Sequence, residues 1–572
     1  MRPSRTLLAL ALACGMPCVV FGIAPAPVTD ARALVVSPHR VVSDAGVELL
    51  RAGGNVVDAA VAAAFALAVA QPQSTGIGGG GFLLIRLADG RAFAIDARET
   101  APAAATPDLY TRPGVPAQAS LVGGLAVATP GLVAGLALAL EAHGTLPLGR
   151  VLEPAIRLAE LGYETGAYQA HFIEAMRERG VAARFPELAR IHLPVALGAR
   201  TRIVQPELAR TLRALAADGP RAFYEGPVAE AIAKAAQEHG GILTTGDLAR
   251  YRPVLRQPLR ARYRGFEVLG FPPPSSGGVT LLEILNVLEG FELAQLGAGS
   301  SAAIHRIAEA MKLAFADRAV HLGDPDFAEL PVARLLDPAY AAGLRARINP
   351  PRWRRAPWTW GRSEIAIHVA GSGLLPEDAG TAHLSVADAA GNAVAITETI
   401  NTPYGSLVMV PGTGILLNNE MDDFATRPGE ANAFGLVALA GANGVAADKR
   451  PLSSMAPLIV LEGGALRFVA GSNGGPRIIT TTLLALLNHL EFGMDVSEAV
   501  SAPRFHHQWQ PDELLLEAGI PADVADALSA RGHHVKLVDD LGGGVEAIGF
   551  DPVTGRLSGG VDPRRDGAAA GP

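Results

Sequence analysis

From Val56 to Ala70 the sequence is almost entirely alanine, valine, leucine and phenylalanine, interrupted by Asp58 alone. The run reads as a helix, and a helix apolar on every side is buried on every side. The chain can supply the cover. At 572 residues with 49% hydrophobic composition it has ample material for one extensive core, and large layered α/β folds reach this length. Charged residues are 18%, and 65 glycines and 42 prolines accompany few aromatics. High apolar content throughout makes this a turn-rich, tightly packed chain rather than a disordered one.

Around that run, Ser43 to Leu50 reads as a short capped helix and Gly53-Gly54-Asn55 as a stop. Gly76 to Gly81 matches G-x-G-x-x-G, but it follows a helix and precedes the strand Phe82 to Leu87, the reverse of the order a dinucleotide site needs. The glycines therefore read as a close backbone approach into a core strand. Asp89-Gly90 predicts a hairpin joining that strand to Ala92 to Ala97. Arg98 at its end is either a solvated edge charge or a bidentate clamp for a carboxylate. Leu121 to Arg347 reads as mainly helical scaffold, including Leu146 to Gly162 and Pro206 to Asp218, with strand-like breaks at Phe266 to Gly270 and Pro272 to Gly278. Residues 350–378 read as an irregular, exposed connection.

Gly380-Thr381 then opens a strand that turns at Asp388 to Asn392. Thr381 is the candidate nucleophile. A threonine hydroxyl needs an adjacent base, and the most economical one is its own α-amino group, released by cleavage of the bond before it. Gly380 suits such a cut by widening the backbone conformations available there. A further turn is expected at Val410 to Gly414. Asn418 to Asp423 lacks the alternating ligands and glycine of a calcium loop, so a pocket for an organic ammonium fits at least as well. Arg450 to Met455 places paired hydroxyls in a rigid turn. Gly471 to Pro476 presents successive backbone N–H groups before a helix starting near Ile478, which suits an anion. Ser472 is not in a G-x-S-x-G elbow, because Ala470 stands in the first glycine's place. His506-His507 is a weak metal motif, since adjacent side chains on an extended segment point apart.

Arg2 and Arg5, the apolar run Leu7 to Ala13 and Ala24-Pro25-Ala26 form a secretory leader over 1–26, too short an apolar run for a membrane anchor. The expected location is periplasmic or secreted. Cys14 and Cys18 both lie in that leader, so the mature chain would have no disulfide, cysteine-bound metal or cysteine nucleophile. Its formal charge moves from −8 to −10 with the loss of Arg2 and Arg5, which argues against nucleic acid as a partner.

In order along the chain, Gly53 to Asn55, Gly76 to Phe82, Asp96 to Glu99, Pro272 to Gly278, Phe315 to Arg318, Gly323 to Phe327, Gly391 to Ala395, Gly414 to Phe424, Arg450 to Met455, Ala502 to Gln508 and Asp562 to Asp566 together resemble the γ-glutamyltranspeptidases, N-terminal-nucleophile hydrolases. The resemblance spans almost the whole mature sequence. It implies an α/β four-layer α-β-β-α sandwich built jointly by a large fragment, 27–380, and a small one, 381–572, made by self-cleavage and held as a heterodimer. It implies Thr381 as nucleophile, Thr399 as the threonine bonded to it, and Gly474 with Gly475 as the oxyanion hole. Arg98, Ser453 and Ser454 would hold the substrate's α-carboxylate, while Asn401, Glu420 and Asp423 would hold its α-ammonium. Glutathione and other γ-glutamyl donors would be cleaved through a γ-glutamyl-threonine ester, with transfer to water or to amino acid or peptide amines. No metal or organic cofactor is expected.

Three departures bear on lid closure and acceptor choice: Ala382 replaces a hydroxyl residue, Asn473 and Pro476 flank the glycine pair, and Phe434 stands where many bacterial members have a lid tyrosine. Two other readings compete. A glutaryl acylase of the same fold would not need Glu420 and Asp423, and an unprocessed periplasmic binder of γ-glutamyl compounds would not need an intact nucleophile.

Overall fold

The computed structural model describes residues 26–194, 201–348, 380–427, 429–438 and 441–572. The leader lies outside them except for Ala26, as do both cysteines and the connection read over 350–378. Among the described residues no helix is long and apolar enough to cross a membrane.

The helix Val56–Ala70 is buried along its whole length. Asn55 caps it, accepting from the Val57 and Asp58 amides while Asp58 bonds back to the Asn55 N–H. Asp58, the one charge in the run, also accepts from the Thr145 and Leu146 amides, which satisfies it without water. The preceding helix is Arg40–Arg51, starting before Ser43, with the His39 ring accepting from the Val41 amide. Ser43 is no cap. It lies 2.6 Å from the Ser37 hydroxyl and donates to the Ala568 carbonyl, a partner 525 residues away that no local pattern announces.

Two seven-stranded antiparallel sheets form the centre. One runs Ala568–Ala570, Ala33–Ser37, Ala382–Asp388, Ala393–Thr399, Gly80–Arg86, Ala92–Ala97, Val254–Arg256. The other runs Val28–Asp30, Arg556–Val561, Val545–Asp551, Ala465–Ser472, Leu458–Glu462, Phe266–Gly270, Leu259–Tyr263. Each combines strands from before residue 380 and after residue 381. Strand alternation divides the first sheet between two cores. Val35, Leu83, Ile85, Leu384 and Ile396 face the layer containing Val56–Ala70 and Leu132–His143. Leu34, Val36, Phe82, Leu84 and Ala395 face the second sheet, beyond which lie the helices Ser276–Leu288, Ser301–His321 and Arg477–Leu490. The result is the expected four-layer α-β-β-α sandwich.

The hairpins form as expected: Gly80–Arg86 pairs with Ala92–Ala97, Ala382–Asp388 with Ala393–Thr399, and Met409–Val410 with Ile415–Leu416. Pro272 to Gly278 is not a strand; Ser276 already begins a helix, capped by the Ser275 hydroxyl. The Gly76 to Gly81 run is a close approach. A Cβ at Gly79 would sit 2.0 Å from the Thr399 carbonyl and one at Gly78 2.2 Å from the Leu416 carbonyl, so only glycine lets this segment press against the strand end that carries Thr399.

Candidate active site

Thr381 immediately precedes the strand Ala382–Asp388, opposite Thr399 across the hairpin. The Thr381 hydroxyl donates to the Gly380 carbonyl at 2.6 Å, the Thr399 hydroxyl donates to the same oxygen at 2.8 Å, and the two hydroxyl oxygens lie 3.0 Å apart. Thr399 is itself fixed, accepting from the Asn401 amide at 2.8 Å. A carbonyl that accepts two hydroxyls is polarised toward an oxyanion. Gly380 serves this geometry through size rather than conformational freedom. Its φ lies outside the left-handed region, whereas a Cβ there would meet the Gln73 carbonyl oxygen and the Thr402 carbonyl carbon, each at 2.8 Å.

The cleft in front of Thr381 is lined by all the sequence-predicted site residues except Gly474, together with Phe434, Met455 and Ile478. It is narrow: about 20 Å³, room for roughly one water. Arg98, 1% exposed, fills its floor and is no edge charge. Its guanidinium pairs with Glu420 at 2.6 Å and Asp423 at 2.5 Å, and Nε donates to the Pro451 carbonyl. The residues expected to grip opposite ends of a zwitterion thus grip one another. Burial works against the Arg98 charge, but Glu420, Asp423 and Glu99 outweigh it and hold the pKa above its ordinary value. Burial pushes the Glu420 and Asp423 carboxyls up, with Arg98 pulling the other way, and raises Glu99 to about 8. Asn401, at φ 80°, anchors its side-chain amide on the Asn419 carbonyl.

Ser453 and Ser454 are held by a bracket from the first half of the chain. The Ser276 hydroxyl and amide both donate to the Ser453 carbonyl, at 2.6 and 2.7 Å, and the Ser453 amide donates to the Pro274 carbonyl. Arg318 closes the bracket, with Nε donating to the Ser276 hydroxyl at 2.8 Å and Nη2 to the Ser454 hydroxyl at 3.3 Å. Burial lowers its pKa to about 10 against the pull of Asp423. Sequence reasoning placed Arg318 only inside a motif and treated this half as scaffold; no local signal in its helix, where Asp317 precedes it, singles it out. Asp324 likewise supports the site, accepting from the Arg450 amide at 2.8 Å.

Gly474 and Gly475, at φ 116° and 59°, form the turn into the helix Arg477–Leu490, and their amides donate no hydrogen bond among the described residues. The two departures flanking them are structural. The Asn473 side chain accepts from the Gly544 amide, and Pro476 starts the helix with a favourable φ of −62°. Phe434 packs over Gly475, its ring 2.9 Å from where a Cβ would stand. Its segment is tied to the acids: Asn432 donates to Asp423 and the Ala433 amide to Asp422. His506 and His507 diverge, the first bonding Thr480 and Gln508 and the second Asp512.

Comparison with known proteins gives this arrangement a lineage. A glutathione hydrolase proenzyme of Escherichia coli (strain K12) is 42% identical over 548 residues, 94% of this chain and 91% of the relative. A protein named Acylase ACY 1 proenzyme, from Pseudomonas sp. (strain SE83), is 43% identical over 552 residues, 95% and 94% of the two chains. Of solved structures, a cephalosporin acylase from Bacillus halodurans superposes with a TM-score of 0.81 at 30% identity, covering 95% of this chain and 96% of its own. Helicobacter pylori γ-glutamyltranspeptidase matches with a TM-score of 0.53 at 41% identity over 55% of this chain and 92% of that chain. The sequence profile of the family described as Gamma-glutamyltranspeptidase matches residues 42–572, and with relatives this similar over almost their full length, the chain belongs to the γ-glutamyltranspeptidase family.

Proposed function

We propose that this chain is a self-cleaving γ-glutamyltransferase and glutathione hydrolase, exported to the periplasm or beyond after loss of its leader. The observation that carries the reading is the triangle of Gly380 carbonyl and Thr381 and Thr399 hydroxyls, opening onto the cleft that holds Arg98 and its acids. In maturation the Thr381 Oγ attacks the Gly380 carbonyl carbon while Thr399 stabilises the oxyanion. The hydroxyl proton passes to the Thr381 nitrogen as the Gly380–Thr381 C–N bond breaks, leaving an ester and a free α-amino group. Water hydrolyses the ester, producing the fragments 27–380 and 381–572.

The released α-amine then takes the proton from the Thr381 hydroxyl, which attacks the γ-carbonyl of the donor. The Gly474 and Gly475 amides receive the oxyanion. The proton passes to the leaving amine, and the γ-glutamyl-threonine ester goes on to water or to an amino acid or peptide amine. This chemistry requires no metal or organic cofactor. Donor entry replaces the two ion pairs of Arg98: the substrate carboxylate takes Arg98 with Ser453 and Ser454, and the ammonium takes Glu420 and Asp423 with Asn401. A zwitterion can open the cleft in this way. A glutaryl group, with no ammonium, leaves two buried carboxylates deprived of their arginine.

That difference decides against the acylase reading suggested by the names of some relatives. Each charge-assisted hydrogen bond is worth about 1.5–3 kcal/mol, so two favour γ-glutamyl over glutaryl p-nitroanilide by at least about a hundredfold in kcat/KM. Equal turnover of the two substrates by the purified enzyme refutes the reading. Thr381→Ala stays a single chain; cleavage at the same bond in that pure variant removes Thr381 from the mechanism.

A further inference from the structure

A second cluster of chemically capable side chains lies away from the cleft. His305 and Glu309 are four residues apart on the helix Ser301–His321 and so share one face. Arg318, which reaches the cleft, is thirteen residues further along, about 20 Å at the helical rise. His533 arrives from the turn after the helix Ala522–Ala530, where Gly532 at φ 97° and a bond from the His533 amide to the Leu528 carbonyl fix its position. His305 Nδ1 lies 2.8 Å from His533 Nε2, and His533 Nδ1 lies 3.8 Å from the Glu309 carboxylate. One ligand atom from each of the three fits within 4.8 Å of the others.

We infer that His305 Nδ1 and His533 Nε2, with Glu309 as the neutralising carboxylate, form a binding site for one divalent transition-metal ion of the zinc type. The tautomers favour it. His305 also hydrogen-bonds the Ile348 backbone, and with the proton for that bond on Nε2 the Nδ1 lone pair faces His533. With a proton on His533 Nε2, His533 Nδ1 is bare and faces, at 3.8 Å, the Glu309 carboxyl, whose pKa burial pushes up. An ion between the two rings moves that proton to Nδ1, where it faces Glu309 as a donor, the arrangement that orients imidazole ligands in metal sites.

Burial, above all, lowers the pKa of His305 to about 4 and of His533 to about 3, so both rings are neutral ligands at pH 7. The positive neighbours are Arg306, Arg531 and Lys312, the last paired with Asp512. Two imidazoles, with Glu309 as an outer carboxylate, select Zn²⁺, Cu²⁺ or Ni²⁺ over Mg²⁺ or Ca²⁺. Zn–N bonds of about 2.0–2.1 Å in tetrahedral geometry set the nitrogens about 3.3 Å apart, a small opening of the present pair. Glu309 and His533 are only partly buried, which leaves the two remaining coordination positions for water.

The test uses the full chain without a polyhistidine tag, stripped with chelator and titrated with Zn²⁺ by calorimetry, with Co²⁺ as a spectroscopic probe. One ion per chain at micromolar affinity is expected, with a rise in Tm that grows with Zn²⁺ and the visible bands of four-coordinate Co²⁺. His533→Gln, which keeps a polar side chain, abolishes these signals, and Glu309→Gln weakens binding about tenfold or more. His507→Gln retains them. Absence of saturable binding, or binding that survives His533→Gln, overturns the site and leaves only a hydrogen-bonded histidine pair.

Discussion

Replacing Arg98 by lysine keeps the charge and removes the fork. In the structure the guanidinium does three things at once: Nη1 pairs with Glu420, Nη2 pairs with Asp423, and Nε donates to Pro451. A lysine ammonium reaching the same floor meets one carboxylate well and leaves the other buried without its partner. In the donor complex it likewise offers a point charge where two parallel hydrogen bonds are needed. Two charge-assisted bonds lost or weakened, at about 1.5 kcal/mol each as the lower bound, amount to about 3 kcal/mol, or at least about a hundredfold in kcat/KM. Self-cleavage should survive, because Gly380, Thr381 and Thr399 are bonded to one another and not to Arg98. The assay is a gel to confirm two fragments, followed by initial rates on γ-glutamyl-p-nitroanilide across a range of donor concentrations. A fully cleaved Arg98→Lys enzyme whose donor KM stays within twofold of the parent refutes the placement of Arg98 in the pocket.

Thr399→Val, which keeps shape but loses the donor to Gly380, slows self-cleavage by about a hundredfold or more, while Thr399→Ser restores it; equal cleavage rates of the valine variant and the parent on a time-course gel exclude the hydroxyl. Gly380→Ala sets a methyl against backbone on two sides and is expected to accumulate uncut precursor, which intact mass spectrometry reads directly. Glu99, with its carboxyl pushed up to about 8 from 4.5, holds a proton in the folded chain that the unfolded chain has already released, so stability falls as pH rises through that window, by about 1.4 kcal/mol per unit at most. Glu99→Gln removes this part of the fall, and melting curves at pH 5 and pH 8.5 that lose equally in parent and variant contradict it.

What could be read locally was read from the chain itself: the buried helix Val56–Ala70 from its composition, the hairpins from Asp89-Gly90 and Asp388 to Asn392, and the Gly76 to Gly81 approach from its position between helix and strand. The site residues came from motif order. What escaped depends on pairs distant in sequence. Ser43 looks like a cap until Ala568 arrives to accept its hydroxyl. Arg98 looks like one jaw of a clamp, and nothing in its neighbourhood says that Glu420 and Asp423 close on it. Arg318 looks like an ordinary helical arginine because Ser276 and Ser454, its partners, are 42 and 136 residues away. Gly380 was credited with conformational freedom when the crowding of Gln73 and Thr402 is what requires it.

The interleaving of the sheets changes the kinetic order of folding. Ala382–Asp388 lies between Ala33–Ser37 and Ala393–Thr399, Leu458–Glu462 lies against Phe266–Gly270, and Arg556–Val561 against Val28–Asp30. While the backbone is continuous these strands find one another within a single chain, at a rate that dilution does not alter. With the Gly380–Thr381 bond cut as proposed, the same contacts would hold the two fragments together, but a denatured pair would have to meet by diffusion before either sheet could close. Refolding then becomes second order, and each tenfold dilution slows it tenfold. Such a molecule assembles as one chain and persists as two, stable for as long as it never has to begin again.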